Sequence, residues 1–178
     1  MVTPLKDASI KENVLFYEEL FAYVSKRNAL YDKKYVIAND IDPDQLWLLE
    51  EGHRFRWQIL NLCELRRRSD FNFKYETGNI DTLKRMVDKS DGITILLELA
   101  VREFSKSQLK LVKRLKNTSP AREVSLVTYR DHMKTRLLTT LKDEILKIVP
   151  KQEFHNKKVV EINYWSSMSL AEAPERVI

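Results

Sequence analysis

Two short stretches of this 178-residue chain carry residue types that could hold a small ligand: Gly52-His53-Arg54 and Thr77-Gly78-Asn79. Each stands where a strand-like run gives way to helical spacing. Free amides at a helix start attract anions, and two such starts after parallel strands open at one edge of a sheet. The same residues also make ordinary helix starts, and spacing alone does not separate the two readings. Other chemistry is thin. His53, His132 and His155 lie far apart and lack metal-ligand spacing with any cysteine or carboxylate pair. Neither GxGxxG nor GxxxxGK occurs, and no serine sits in a nucleophile elbow. No catalytic set, metal or cofactor is therefore expected, and the chain does not read as an enzyme.

The elements that must position these turns centre on residues 73–100, FKYETGNIDTLKRMVDKSDGITILLELA, which read as one βαβ unit. Phe71, Phe73 and Tyr75 alternate with Asn72 and Lys74, as in a strand. Asn79 is placed to cap a helix whose apolar residues Ile80, Leu83, Met86 and Val87 fall at 3.6-residue spacing. Asp81 in its first turn and Lys89 in its last match the helix macrodipole. Gly92 reads as a C′ glycine, and Ile93-Thr94-Ile95-Leu96 as a strand parallel to the first. Upstream, Leu46-Trp47-Leu48-Leu49 is an apolar run fit for a buried parallel strand. Glu50-Glu51-Gly52 then leads into a helix over 53–68, with Phe55, Ile59 and Leu62 as its stripe and Arg66-Arg67-Arg68 closing it. Those three arginines suit a last helical turn without any phosphate. These signals make an α/β domain, with adjacent parallel strands near 46–50 and 72–77.

The remainder is organised around that unit. Residues 1–13 read as a polar, proline-containing tail. Residues 14–24, VLFYEELFAYV, read as a strand broken near Glu18-Glu19, and 25–44 as connection. Residues 101–111 read as a helical connection, 111–115 as a short strand and 122–130 as a longer one. Asp131 is expected to cap an amphipathic helix reaching Val149, with Leu137, Leu141, Ile145 and Ile148 on one face and Pro150 as its stop. Residues 151–178 read as a partly helical tail. A net charge of +5, from 31 basic and 26 acidic residues, is spread along the chain and is better read as solvated surface than as a nucleic-acid footprint. Cys63 is the single cysteine, so no intrachain disulfide can form. With no signal peptide and no apolar run of membrane-spanning length, a cytoplasmic location is expected.

The segment LWLLEEGHRFRWQILNLC (46–63) resembles the redox segment of OxyR-like, peroxide-sensing members of the LysR-type transcription regulators. In that family the turn reads Gly-His-Cys, with a second cysteine nine positions on; here Gly52, His53 and Arg54 stand at the turn and Cys63 at the second cysteine. TGNIDTLKRMVDKSDGIT (77–94) resembles the family's turn-helix-turn, and REVSLVTYR with the helix after it resembles its return strand and closing helix. The resemblance runs over about 3–150. It implies a periplasmic-binding-protein-like α/β regulatory domain, with one complete Rossmann-like lobe at 14–127. Residues 1–13 and 128–150 would be remnants of the first lobe, and 151–178 a C-terminal tail. It further implies an effector sensed between lobes, with Gly52, His53, Arg54, Thr77, Gly78 and Asn79 as candidate contacts. A truncated chain without its helix-turn-helix is expected, since no helix pair here resembles one, and so is no direct binding to DNA.

Two departures from the family pattern stand out: Arg54 at the peroxide-reactive cysteine and Leu97 where a proline is usual. A cysteine at a helix start is acidified by the dipole and so made reactive. Nine residues of helix span about 13–14 Å, whereas a disulfide holds its Cα atoms roughly 4.4–6.8 Å apart. Oxidation in the family must therefore unwind that helix. Arg54 cannot be oxidised, and it sits against the positive end of its own helix, where Glu50 or Glu51 or a bound anion would offset it. Three other readings suit the same residues: a small-anion binding module, an interaction protein pairing with itself or with full-length regulators, and a truncated product without function.

Overall fold

The computed structural model describes residues 1–3, 5, 7–49, 59, 76–77, 79–116, 119–129, 134–149 and 159–161. Nine strands and four α-helices are found among them. In chain order they are β1 (Val2–Thr3), β2 (Ile10–Val24), β3 (Tyr35–Val36), β4 (Leu46–Leu49), β5 (Glu76–Thr77), α1 (Ile80–Lys89) and β6 (Ile93–Leu97). There follow α2 (Glu98–Arg102), α3 (Lys106–Leu109), β7 (Val112–Leu115), β8 (Ser119–Tyr129), α4 (Thr135–Ile148) and β9 (Val159–Glu161). The fold is α/β.

Strand β2 organises the sheet. Its last five residues pair antiparallel with β6, Leu20 opposite Leu97 through Val24 opposite Ile93. On its other edge Phe21, Ala22 and Tyr23 pair with β7. Earlier, residues 10–19 pair antiparallel with β8, with an irregularity between Val14 and Phe16. β1 and β9 pair with β8 along its edge away from β2, β3 runs parallel to β7, and β4 lies parallel to both β5 and β6. The expected parallel neighbours near 46–50 and 72–77 are thus present as β4 and β5, the latter described over its last two residues. The path β5-β4-β6-β2 continues through β7 to β3.

Strand alternation feeds two cores, one on each face of this sheet. Leu20, Ala22 and Val24 of β2 join Leu46 and Leu48, Ile93 and Ile95, Leu115 and Ile59 on one side. Tyr23 and Leu96 join Leu83 and Val87 of α1, with Val101, Phe104 and Leu111, on the other. Covering both faces is why β6 is buried over Ile93–Leu96 and apolar there except at Thr94, instead of alternating. The 3.6-residue spacing of α1 places Leu83 and Val87 fully in that second core. Phe104 meets the Tyr23 ring edge-on, with centroids 5.5 Å apart.

Several expectations are revised. β2 begins at Ile10 and is not broken at Glu18-Glu19, because Glu18 is paired inside the fold. Residues within 1–13 contribute β1 and the start of β2, and the tail beyond 150 contributes β9. α4 starts after Lys134 with no side-chain cap, and Asp131, the expected cap, lies outside the described residues. The apolar stripe of α4 is not buried: Leu137 is 63% and Ile148 83% exposed. Helix α4 ends in extended backbone at Val149, the conformation a following proline favours. The strand residues Phe71, Phe73 and Tyr75, and all of the 53–68 helix except the buried, helical Ile59, lie outside the described residues.

Gly92 has a different reason from the expected one. Helix α1 closes on Ser90, whose amide reaches the carbonyls of Met86 and Val87, so Gly92 is one residue beyond C′. It is not in the left-handed region; instead, a Cβ there would run into Nε1 and Cδ1 of the Trp47 indole. The glycine is required by the close approach of β4 to the start of β6. Gly92→Ala is expected to lower stability by about 1–3 kcal/mol, as overpacking does. Urea unfolding in a Trp47→Ala background should recover most of that loss; an equal loss in both backgrounds would mean that the indole is not the cause.

Candidate functional site

The carboxyl ends of β4, β5 and β6 share one edge of the sheet, because the three strands are parallel. The connection leaving β4 returns on one side as β5, while the connection leaving β6 returns as β7, beyond β2 on the other side. Such a reversal opens a crevice between the two strand ends, the place where open α/β sheets bind ligands. Leu49 ends β4 and Leu97 ends β6 at this reversal, and Thr77 ends β5 beside them in register with Leu49.

Of the expected contacts, Gly52, His53, Arg54 and Gly78 lie outside the described residues, as does Cys63. Thr77 is placed at the strand end. Asn79 is exposed, and its side-chain oxygen accepts from the amides of Asp81 at 2.7 Å and Thr82 at 3.4 Å. It is the N-cap expected from the sequence. That bond also means that two first-turn amides of α1 are already used by the chain itself.

A buried polar row on β1, β2 and β8, not anticipated from the sequence, lies next to this edge. Glu18, 2% exposed, receives the Leu99 amide on Oε1 at 3.2 Å and Arg122 Nε on Oε2 at 2.8 Å. Glu98 in turn receives Arg102 at 2.6 Å and the Glu19 amide at 3.5 Å. Further along, Glu123 is held by hydroxyls: Thr3 at 2.6 Å and Ser125 at 3.3 Å on Oε1, and Tyr17 at 2.9 Å on Oε2. Thr3, Glu123 and Tyr17 stand opposite one another across three neighbouring strands. Carboxylates this deep are kept only when hydrogen-bonded or paired, and both are. The available signal was Glu18-Glu19 inside an apolar strand, together with a solitary Arg122 opposite it.

On the far end of the sheet, burial pushes the Tyr23 phenol well above its ordinary pKa, reinforced by its 2.7 Å bond to the Asp88 carboxylate. There the polar groups bind each other: Asn28 holds Gln45 and the Asp91 carbonyl, and Arg27 holds the Lys89 carbonyl at the end of α1. That cluster fixes the helix end and offers no chemistry. Among the described residues no group of His, Cys, Asp and Glu could hold a metal ion, and no helix is long and apolar enough to cross a membrane.

Residues 1–149 match the model of the LysR substrate binding domain. The chain belongs to that family. Among curated relatives it is 31% identical over 136 residues to the HTH-type transcriptional regulator EstR of Acinetobacter baylyi, covering 72% of this chain and 42% of that protein. It is 26% identical over 141 residues to a hydrogen peroxide-inducible genes activator of Haemophilus influenzae, covering 76% and 46%. The chain thus spans less than half the length of these two relatives. Among solved structures, OxyR from Porphyromonas gingivalis superimposes with a TM-score of 0.72 at 29% identity, covering 84% of this chain and 68% of that one. The LysR-type, OxyR-like resemblance of the sequence and the periplasmic-binding-protein-like lobe are therefore shown.

Asn79→Ala should cost about 0.5–2 kcal/mol, the usual range for a lost N-cap. Hydrogen exchange of the α1 amides would check it, with protection falling first at Asp81 and Thr82. Unchanged protection there would show that the cap is dispensable.

Proposed function

We propose that the chain is the effector-sensing part of an OxyR-like LysR-type regulator in which the thiol switch no longer operates. One observation carries the reading: Arg54 occupies the position of the reactive cysteine in the Gly-His-Cys turn, and Cys63 is the only thiol in the 178 residues. The match to the LysR family and the likeness to OxyR structures support the regulatory role. The reversal of chain direction at the ends of β4 and β6 supports a sensor site at that edge.

On this reading the protein is cytoplasmic and not an enzyme. Residues 14–127 form the sensing lobe, with 1–13 and 128–150 belonging to the other. Reading of promoter sequence is left to a helix-turn-helix outside these residues, and the chain alone does not select a DNA site. Gly52, His53, Arg54, Thr77, Gly78 and Asn79 line the effector position. Arg54 is offset by Glu50 or Glu51 and no longer by chemistry at sulfur. The second reading, an anion bound at the two turns, is weakened at the α1 turn, where Asn79 already takes two amides.

Peroxide should therefore leave the reduced protein without a rapid conformational response. Intact mass should show at most slow oxidation or intermolecular linkage of Cys63, and protease sensitivity over 53–68 should stay constant. Rapid, reversible exposure of that segment without dimer formation would contradict the proposal. Arg54→Cys restores the family spacing and is expected to regain an intramolecular disulfide under oxidant, read as a mass loss of two hydrogens.

A further inference from the structure

We propose that Glu18 is a pin that couples β2 and β8 to the corner between β6 and α2, so that one buried carboxylate governs how freely the β1-β8-β9 group and the lobe sheet move against each other. The inference rests on strand pairing and burial and is independent of the thiol reading above.

β2 changes partners between residues 19 and 20. Up to Glu19 it pairs with β8, and from Leu20 it pairs with β6. Among the described strands, β2 alone takes part both in the β1-β8-β9 group and in the lobe sheet through long runs of pairing. Any relative motion of the two groups must flex β2 at this change. Glu18 sits two residues before it, in register with Arg122 on β8. Its two carboxylate oxygens bind different segments: Oε2 takes Arg122 of β8, and Oε1 takes the Leu99 amide at the start of α2, directly after β6. One side chain thus ties β2, β8 and the β6–α2 corner together.

The asymmetry of burial makes the carboxylate the controlling partner. Glu18 is 2% exposed, while the Arg122 side chain is 19% exposed. A buried charge that loses a partner cannot be solvated in place, so the three segments must separate before it is rehydrated. The carboxyl edge of β6 lies beside the pin, so, on the effector site proposed above, a ligand that moves the β6–α2 corner acts on β2 and β8 through Glu18.

Glu18→Gln is the direct test. It keeps the shape and the acceptor for the Leu99 amide but loses the charge that holds Arg122. Hydrogen exchange of the full chain is expected to speed up about tenfold or more in residues 12–19, 98–102 and 121–127. Residues 83–90 and 93–95 should keep their wild-type rates. Wild-type rates in the first three segments would overturn the proposal, and so would a uniform rise across the lobe, which would mark an ordinary structural ion pair. If Glu18→Gln does not fold, the Glu18→Gln/Arg122→Met double variant, which strands no charge, is measured by the same two criteria.

Discussion

One strand serving two partner sets is the constraint on which this structure depends. β2 is 15 residues long, and its side chains must stay in phase through the half that feeds both cores, from Leu20 to Val24. Strand periodicity is two, so a slip by one residue would exchange the faces of Leu20, Ala22 and Val24 with those of Phe21 and Tyr23. The two cores on opposite sides of the sheet forbid that slip. The irregularity between Val14 and Phe16 falls in the half that pairs with β8, away from the two cores, where a local change of register is tolerated.

The same constraint accounts for the polar chemistry. Where β2 passes from one partner to the next, backbone pairing alone cannot hold three segments at a corner, and side chains take over. Glu18, Glu98, Arg102 and Arg122 do so at the carboxyl edge, and Thr3, Tyr17, Glu123 and Ser125 do so along β8. The carboxyl edge of the lobe sheet is therefore next to a set of satisfied carboxylates.

Local signals in the sequence were enough for α1, its Asn79 cap, β6 and the parallel β4, since each depends on neighbours within a few residues. The family was legible too, from the Gly52-His53 turn with Cys63 and from the 77–94 segment. What escaped depends on partners far along the chain. Glu18 looked like a strand break because Arg122, its partner, is 104 positions away. β1 and β9 are too short to show alternation and exist because β8 offers them an edge. Gly92 was assigned to helix termination when a tryptophan 45 positions earlier requires it. Leu137 and Ile148 have helical spacing yet remain exposed, because periodicity shows which residues share a face and not whether anything covers it.

Leu49 and Thr77 end β4 and β5 side by side, and the proposed effector position requires the turns that follow them to meet at that one edge. Dipolar coupling between spin labels at His53→Cys and Asn79→Cys, in a Cys63→Ser background, measures this directly. Adjacent parallel strands lie about 5 Å apart, so the account predicts strong coupling, with the two backbones within roughly 10 Å before the label arms are added. A weak coupling, longer by the length of a strand or more, would place the turns at opposite edges and contradict it.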